Sequence, residues 1–329
     1  MPKLFAMITI LLMEGDLSAD PIENPLVLTV EAPSLAGNKI GDPAAVSVVV
    51  YLPPSYQNQQ DRFYPVVYHL DGFDDRPRQI NRWKNDFDEL MGRGGNPEFL
   101  VVEPDQYNAL YGSLFANSPV TGNWEDFVVH DLVSFIDAHF RTLKSASSRA
   151  LTGFYTGGGA AVRIAMKHPQ QFSEVLVWSP ALMKDGALKE AMAKNFFYSL
   201  ERAVGAVFSP NLSLKPPHAE IPQFDGSSKD AIVIQNWERA FGHLEEKVQA
   251  FEDQKVPLRA VELRVGANDA VPWVYEGTLV FAELLKKAGS EVSLVVNRNG
   301  GDAHELTMSA DSGRNDVLPF FRSHPLDGQ

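Results

Sequence analysis

The sequence predicts an α/β fold: a mainly parallel central sheet with helices on both faces and a small helical and loop excursion over its ligand end. Three observations predict it. Short runs rich in β-branched and aromatic residues alternate with segments of helical period. The strand-like runs have continuous apolar centres, as strands covered on both faces do. Internal repeats and coiled-coil heptads are absent, so no stacked or fibrous architecture competes.

The elements follow in order. "AVSVVVYLP" (45–53) is a strand running into Pro53 and Pro54 and a polar turn. "FYPVVYHL" (63–70) is a second, closed by "DGFDD", and "EFLVVEP" (98–104) is a third with an interior character. "WEDFVVHDLVSFIDAHF" (124–140) changes period. There Phe127, Val128, Leu132, Phe135, Ile136 and Phe140 recur at three- and four-residue spacings, which makes an amphipathic helix. "RALTGF" is the next strand, "GGGAAVRIAMKHP" the next helix and "FSEVLVWSP" the strand after it. Residues 183–257 are less regular, with a proline-rich loop between helix-like stretches at 186–204 and 236–251, and read as a cap-like excursion. "LRAVELRVGAND" returns to strand, "YEGTLVFAELLKKAG" is a helix stopped by Gly289, and "SEVSLVVNRNGGDAH" is the last strand and loop. "DVLPFFRSH" closes the chain as a short helix or turn. The expected organisation is an N-terminal arm or edge strand over 1–28 and a single domain over 29–329. The apolar run "LFAMITILLM" (4–13) reads as a strand or packed arm, being too short to span a bilayer and weakly charged for a signal peptide.

Composition bounds the function. A chain of 329 residues buries about three quarters of its unfolded surface and needs no staples. A formal charge of −13 gives no electrostatic reason to bind nucleic acid or an anionic membrane. The absence of cysteine excludes thiol catalysis, disulfides and Cys-based metal sites. The expected partner is a small-molecule ligand or substrate. No cofactor and no metal are expected, a homodimer is left open, and a cytoplasmic location is favoured over a secreted one.

The stretch "LTGFYTGGGA" (151–160) has the outline of a hydrolase nucleophile turn, in which a sharp strand-to-helix bend holds one side chain above the sheet and close glycines make room. Gly153 and Gly157 flank Tyr155 at two residues either side. The other members of a triad are expected in the chain order acid, then histidine. Asp269 lies in "VGANDAVPW" after one strand, and His304 lies in "NGGDAHELT" after the last. Loops at the carboxyl ends of parallel strands share a rim, so these groups can converge on Tyr155. Asp302 competes for the acid role. A second glycine turn, "YHLDGFDD", offers backbone N–H groups; Phe73, Asp74 and Thr156 are the oxyanion-hole candidates. Asp71, Asp74 and Asp75 crowd this turn, where Arg76 or Arg78 could offset them. His69 and Asp71 fall on one side of their strand, a weak metal-site signal against which no metal is expected. Asp71, Tyr111, Trp124, Phe154 and Trp273 are pocket candidates, with Tyr107 and Phe115 further aromatics.

On these residues the chain resembles the esterase D/antigen 85 branch of the α/β-hydrolases. The likeness is carried by "YPVVYHLDGF", "YGSLFANSPVTGNWEDFVVHDLVSFIDAHFRT", "GFYTGGGAAVRIAMKHPQQF" and "GANDAVPW". It runs from about residue 29 to 305 and is most specific between 107 and 172. The resemblance implies an open sheet of about eight strands, a Ser-Asp-His triad, no obligatory cofactor, and hydrolysis of carboxylic esters or thioesters or acyl transfer. It places Asp269 and His304 on the family acid and histidine. Tyr155 falls on the nucleophilic serine, Phe154 on a usual histidine, Thr156 on a usual methionine, and Asp71 where histidine is common. Ordinary serine esterase activity therefore does not follow.

A tyrosine on that bend projects its hydroxyl well beyond the serine position and fills acyl space. Three readings follow. One is an enzyme using Tyr155, His304 and Asp269 for altered acid–base or covalent chemistry on an ester, thioester or lactone, with the phenol pKa lowered by a cationic His304. The second is an inactive homologue that binds a ligand or a protein partner. The third is a non-hydrolytic lyase or isomerase with Tyr155 as general acid or base.

Overall fold

The computed structural model describes residues 23–196, 198–298 and 311–328. An eight-stranded sheet runs through the molecule in the order β1-β2-β4-β3-β7-β8-β9-β10. Its members are β1 (Leu26–Glu31), β2 (Ala45–Tyr51), β3 (Val66–Leu70), β4 (Leu100–Pro104), β7 (Arg149–Phe154), β8 (Glu174–Trp178), β9 (Ala260–Gly266) and β10 (Val292–Asn297). β1 pairs antiparallel with β2 and β2 with β4, while every pair from β4 to β10 is parallel. A two-stranded ribbon, β5 (Asn117–Ser118) with β6 (Gly122–Asn123), lies outside the sheet. This is the α/β-hydrolase architecture, and it puts the ends of β3, β7 and β9 on one rim.

Two apolar layers sandwich the sheet. One face packs α1 (Gln79–Leu90) and the closing helix Leu318–Ser323, through Ile80, Trp83, Phe87, Leu318 and Phe321. The other face packs the 124–139 stretch, α4 (Thr156–Lys167), α8 (Leu244–Glu252) and α9 (Pro272–Lys287), through Phe127, Ile136, Ile164, Phe251 and Phe281. The amphipathic run at 124 is helical throughout, as α2 (Trp124–Asp126), a π-helical segment (Phe127–Leu132) and α3 (Val133–His139).

β1 lies at the sheet edge and begins inside the 1–28 stretch read as an arm or edge strand, with alternating burial. One element differs from the sequence reading. Helix α1 was not expected because it has no local cap: Arg78 precedes it without a side-chain cap. Its opening amides are satisfied instead by Glu103 on β4. Oε1 accepts from the N–H groups of Arg78 (2.9 Å) and Gln79 (2.8 Å), and Oε2 from Ile80 (3.0 Å). A cap from another strand leaves no mark beside the helix it starts.

The excursion is mainly helical: α5 (Leu188–Asn195), α6 (Tyr198–Phe208) and α7 (Ser228–Phe241), followed by α8. Ser227 caps α7 by accepting from Asp230 N–H at 3.1 Å. Leu188, Leu200, Val204, Trp237 and Phe241 form their own apolar cluster over Trp273 and Val274 of α9. α5 to α7 thus make a cap over the carboxyl ends of the strands. The apolar run at 4–13 lies outside the described residues. Among the described residues no helix is long and apolar enough to cross a membrane.

A buried carboxyl at the start of β8 makes stability depend on pH. Burial pushes Glu174 up to about 7, only partly offset by Arg259, whose Nε lies 3.7 Å away. Between the ordinary value of 4.5 and about 7, the folded state holds a proton that the unfolded state has released. Stability from this group therefore falls as pH rises through that window, by about 3 kcal/mol in all, and is level above it. Glu174→Gln is expected to flatten the decline and to exceed the native protein in urea midpoint at about pH 8. Parallel pH profiles for the two proteins contradict this assignment.

Candidate active site

The bend at residue 155 is built by close backbone approach. β7 delivers Gly153 and Phe154, Tyr155 turns at φ 50° and ψ −112°, and Thr156 opens α4. A Cβ on Gly157 would lie 2.1 Å from the Leu70 carbonyl oxygen, and one on Gly153 would lie 2.7 Å from the Gly157 carbonyl carbon. Only glycine fits at either position. Tyr155 N–H donates to Trp178 O at 3.1 Å, and its own carbonyl accepts from Gly159 (2.9 Å) and Ala181 (2.7 Å). These bonds hold an aromatic residue in the left-handed φ range, which costs about 1–3 kcal/mol. The geometry is that of a nucleophile elbow.

The Tyr155 ring lies between Phe154 and Trp273, with ring centroids at 6.3 Å and 6.1 Å. Its hydroxyl oxygen is buried and has no hydrogen-bond partner among the described residues. Burial pushes the phenol pKa well up, and the charge of Asp269 pushes it further. The described surroundings thus favour the protonated phenol, while the lowering expected from a cationic His304 involves a residue outside the described ones. Asp269 is buried after β9, and its Oδ1 accepts from Val271 N–H at 2.9 Å. His304 and Asp302 lie outside the described residues.

The turn after β3 provides backbone donors. Asp74 N–H is already committed to Tyr111 O at 3.1 Å, which removes it from the oxyanion-hole candidates. The N–H groups of Phe73 and Thr156 donate to no backbone carbonyl among the described residues and remain as candidates. A residue not singled out in the sequence, Gln106, clamps this turn. Its Nε2 donates to Gly72 O at 2.6 Å while its Oε1 accepts from Ser113 N–H at 2.8 Å. The acidic crowd is partly neutralised, since Arg78 pairs with Asp75, and Arg76 pairs with Asp105 at 3.2 Å while lying over the Tyr107 ring.

Asp71 points into a buried polar group with His69 and Glu103. His69 Nδ1 lies 2.9 Å from Thr152 Oγ1, and Nε2 lies 3.4 Å from Asp71 Oδ1. Burial lowers the His69 pKa to about 4, and burial raises Asp71 to about 7 and Glu103 well above the carboxylate range. Both buried carboxyls are thus held toward their protonated forms beside an imidazole held toward its neutral form. These three residues are also the group among the described residues whose ligand atoms could converge on a metal ion. The α1 amides already occupy both Glu103 oxygens and aim the positive end of a helix at this space, which opposes a cation there. The signal available in the sequence was an acid inside an apolar strand, "LVVEP".

Of the aromatic candidates, Phe154 and Trp273 flank Tyr155, and Tyr111 borders the Phe73 turn through its carbonyl. Trp124 does not face the site. It packs in the sheet-side core against Phe115 and Phe127 and donates from Nε1 to Thr121 O, because the helical run it begins is apolar on its sheet-facing side.

Fold and elbow together define an α/β-hydrolase. Within that class, residues 43–206 match the "Putative esterase" family. Esterase Rv1288 of Mycobacterium tuberculosis (strain ATCC 25618 / H37Rv) is 33% identical over 129 residues, which is 38% of this chain and 27% of that protein. The match thus spans about a quarter of the relative's length. A solved ferulic acid esterase superposes with a TM-score of 0.64 at 20% identity, covering 92% of this chain and 98% of its own. Mycobacterium tuberculosis MPT51 (FbpC1) does so with 0.59 at 17%, covering 92% and 99%. These structures are similar in fold.

Proposed function

We propose that the protein acts on a carboxylic ester, thioester or lactone by acid–base chemistry, with Tyr155 as a neutral proton donor in place of a covalent nucleophile. The observation that carries this reading is the buried Tyr155 hydroxyl, without a partner among the described residues and held protonated at a strained elbow. A protonated phenol is a poor nucleophile, and with its pKa raised it gives its proton only to a strongly basic leaving group such as an alkoxide. In this reading water attacks the carbonyl carbon and His304, supported by Asp269, takes the water proton. The Phe73 and Thr156 amides hold the developing oxyanion. As the tetrahedral centre collapses, the bond to the leaving oxygen breaks and Tyr155 protonates the alkoxide as it forms. The proton held by His304 then returns to the phenolate.

Tyr155→Phe keeps the ring and deletes the donor. Its kcat on a panel of esters, thioesters and lactones is expected to fall by about a hundredfold or more with little change in KM. Undiminished turnover removes the hydroxyl from the chemistry. The packing of the ring between Phe154 and Trp273 also supports a second reading, a ligand-binding homologue with a filled acyl site. Absence of turnover by the native protein across the panel, together with ligand protection of Tyr155, selects that reading. Turnover without water incorporation selects a lyase or isomerase.

A further inference from the structure

A cavity of about 290 Å³ lies between α4, α7, α8 and α9, with Thr156 and Gly159 at the start of α4 in its lining. Its apolar walls include Val162, Met166, Leu182, Phe241, Phe251 and Phe281. Four basic side chains, Arg163, Lys167, Arg239 and Lys247, also line it, and among the described residues no Asp or Glu does. In a chain with 42 acidic and 29 basic residues, that local balance is inverted.

The four cations are not equally satisfied. Glu125 takes Lys167 at 2.9 Å and Arg163 at 3.6 Å, and Arg163 also donates to Leu114 O and Phe115 O. Lys247 donates to two carbonyls at the end of α7, Ala240 O (3.3 Å) and Gly242 O (2.6 Å). An ammonium has three donors, so one remains. Neither Lys247 nor Arg239 forms an ion pair with a carboxylate among the described residues. Burial, then the nearby Arg163 charge and further the Lys167 charge, lowers the Lys247 pKa to about 7, against the opposing charges of Asp185 and Glu246. A second, independent feature is Thr156. It is 5% exposed and lines the same cavity, yet its Oγ1 has no hydrogen-bond partner among the described residues.

We infer that this cavity binds an organic carboxylate with an apolar tail, the anion held by Lys247 and Arg239 and the tail lying along the Met166, Phe251 and Phe281 walls. A small concave site with mostly apolar walls and few polar groups suits such a ligand. This site goes beyond the chemistry proposed for Tyr155 and does not depend on it.

Calorimetric titration of the intact protein with decanoate and with decan-1-ol tests this directly. Decanoate is expected to bind about tenfold or more tighter than the alcohol of equal length, the scale of one charge-assisted hydrogen bond. Lys247→Met and the exposed Arg239→Gln should each lose about tenfold for decanoate and leave decanol unchanged. Affinity of the native protein for decanoate should fall from about pH 6 to about pH 8.5 as Lys247 releases its proton, and Lys247→Met should remove that slope. No decanoate binding, or equal binding of acid and alcohol, overturns the inference without need of any variant. So does native affinity for decanoate in Arg239→Gln. Tyr155→Phe should leave decanoate binding intact, so failure of the proposed catalysis and failure of this site are separate results.

Discussion

Gly157→Ala is expected to prevent the elbow from closing and to lower the urea midpoint severely. A methyl group there would lie 2.1 Å from Leu70 O and 2.3 Å from Asp71 O. Both are backbone atoms at the end of a central strand, so no side chain can swing aside. Relief requires α4 to move off β3, which parts the apolar layer that α4 shares with the sheet. The expected cost exceeds about 4 kcal/mol, in the range reserved for named steric or packing failures. Gly158→Ala is the control. Its nearest new contact is 3.1 Å, to Gly153 O, so a smaller loss is expected. Equal midpoints for the two variants would show that the bend has slack that the coordinates deny.

Glu103→Ala should be nearly as damaging, for an electrostatic reason. Three amides that open α1 donate to this one carboxyl, and removing it orphans them in a buried place. At about 1–3 kcal/mol for each unmet buried donor, the loss is several kcal/mol. Glu103→Gln keeps one carbonyl oxygen and should recover much of it. The comparison is read by denaturant unfolding and by hydrogen exchange of the Arg78, Gln79 and Ile80 amides, which should exchange faster in the alanine variant. Unchanged exchange would remove Glu103 as the cap of α1.

What was legible in the sequence was local. The runs at 45–53, 98–104 and 149–154 carry their burial in composition, and the helical period at 124–140 survives a π-helical segment because the apolar stripe persists. The glycine spacing around Tyr155 pointed to the bend because close approach is recorded as missing side chains. What escaped was long-range. The α1 cap comes from β4, the Asp74 amide is taken by Tyr111, and Trp124 turns to the core. Likewise Arg239 and Lys247 belong to separate helices, and nothing in either segment announces a shared cavity. The upward push of burial and Asp269 on the Tyr155 phenol also comes from tertiary surroundings that no motif encodes.

The left-handed backbone at Tyr155 has a consequence for how this corner can change. The distortion is borne by the main chain and by glycines on either side, while the side chain at 155 contributes nothing to making the bend. The corner is thus a socket, and what is plugged into it can be exchanged without rebuilding the frame. A single-codon change can swap a short alcohol for a phenol and so alter reactivity while the scaffold stays as it was.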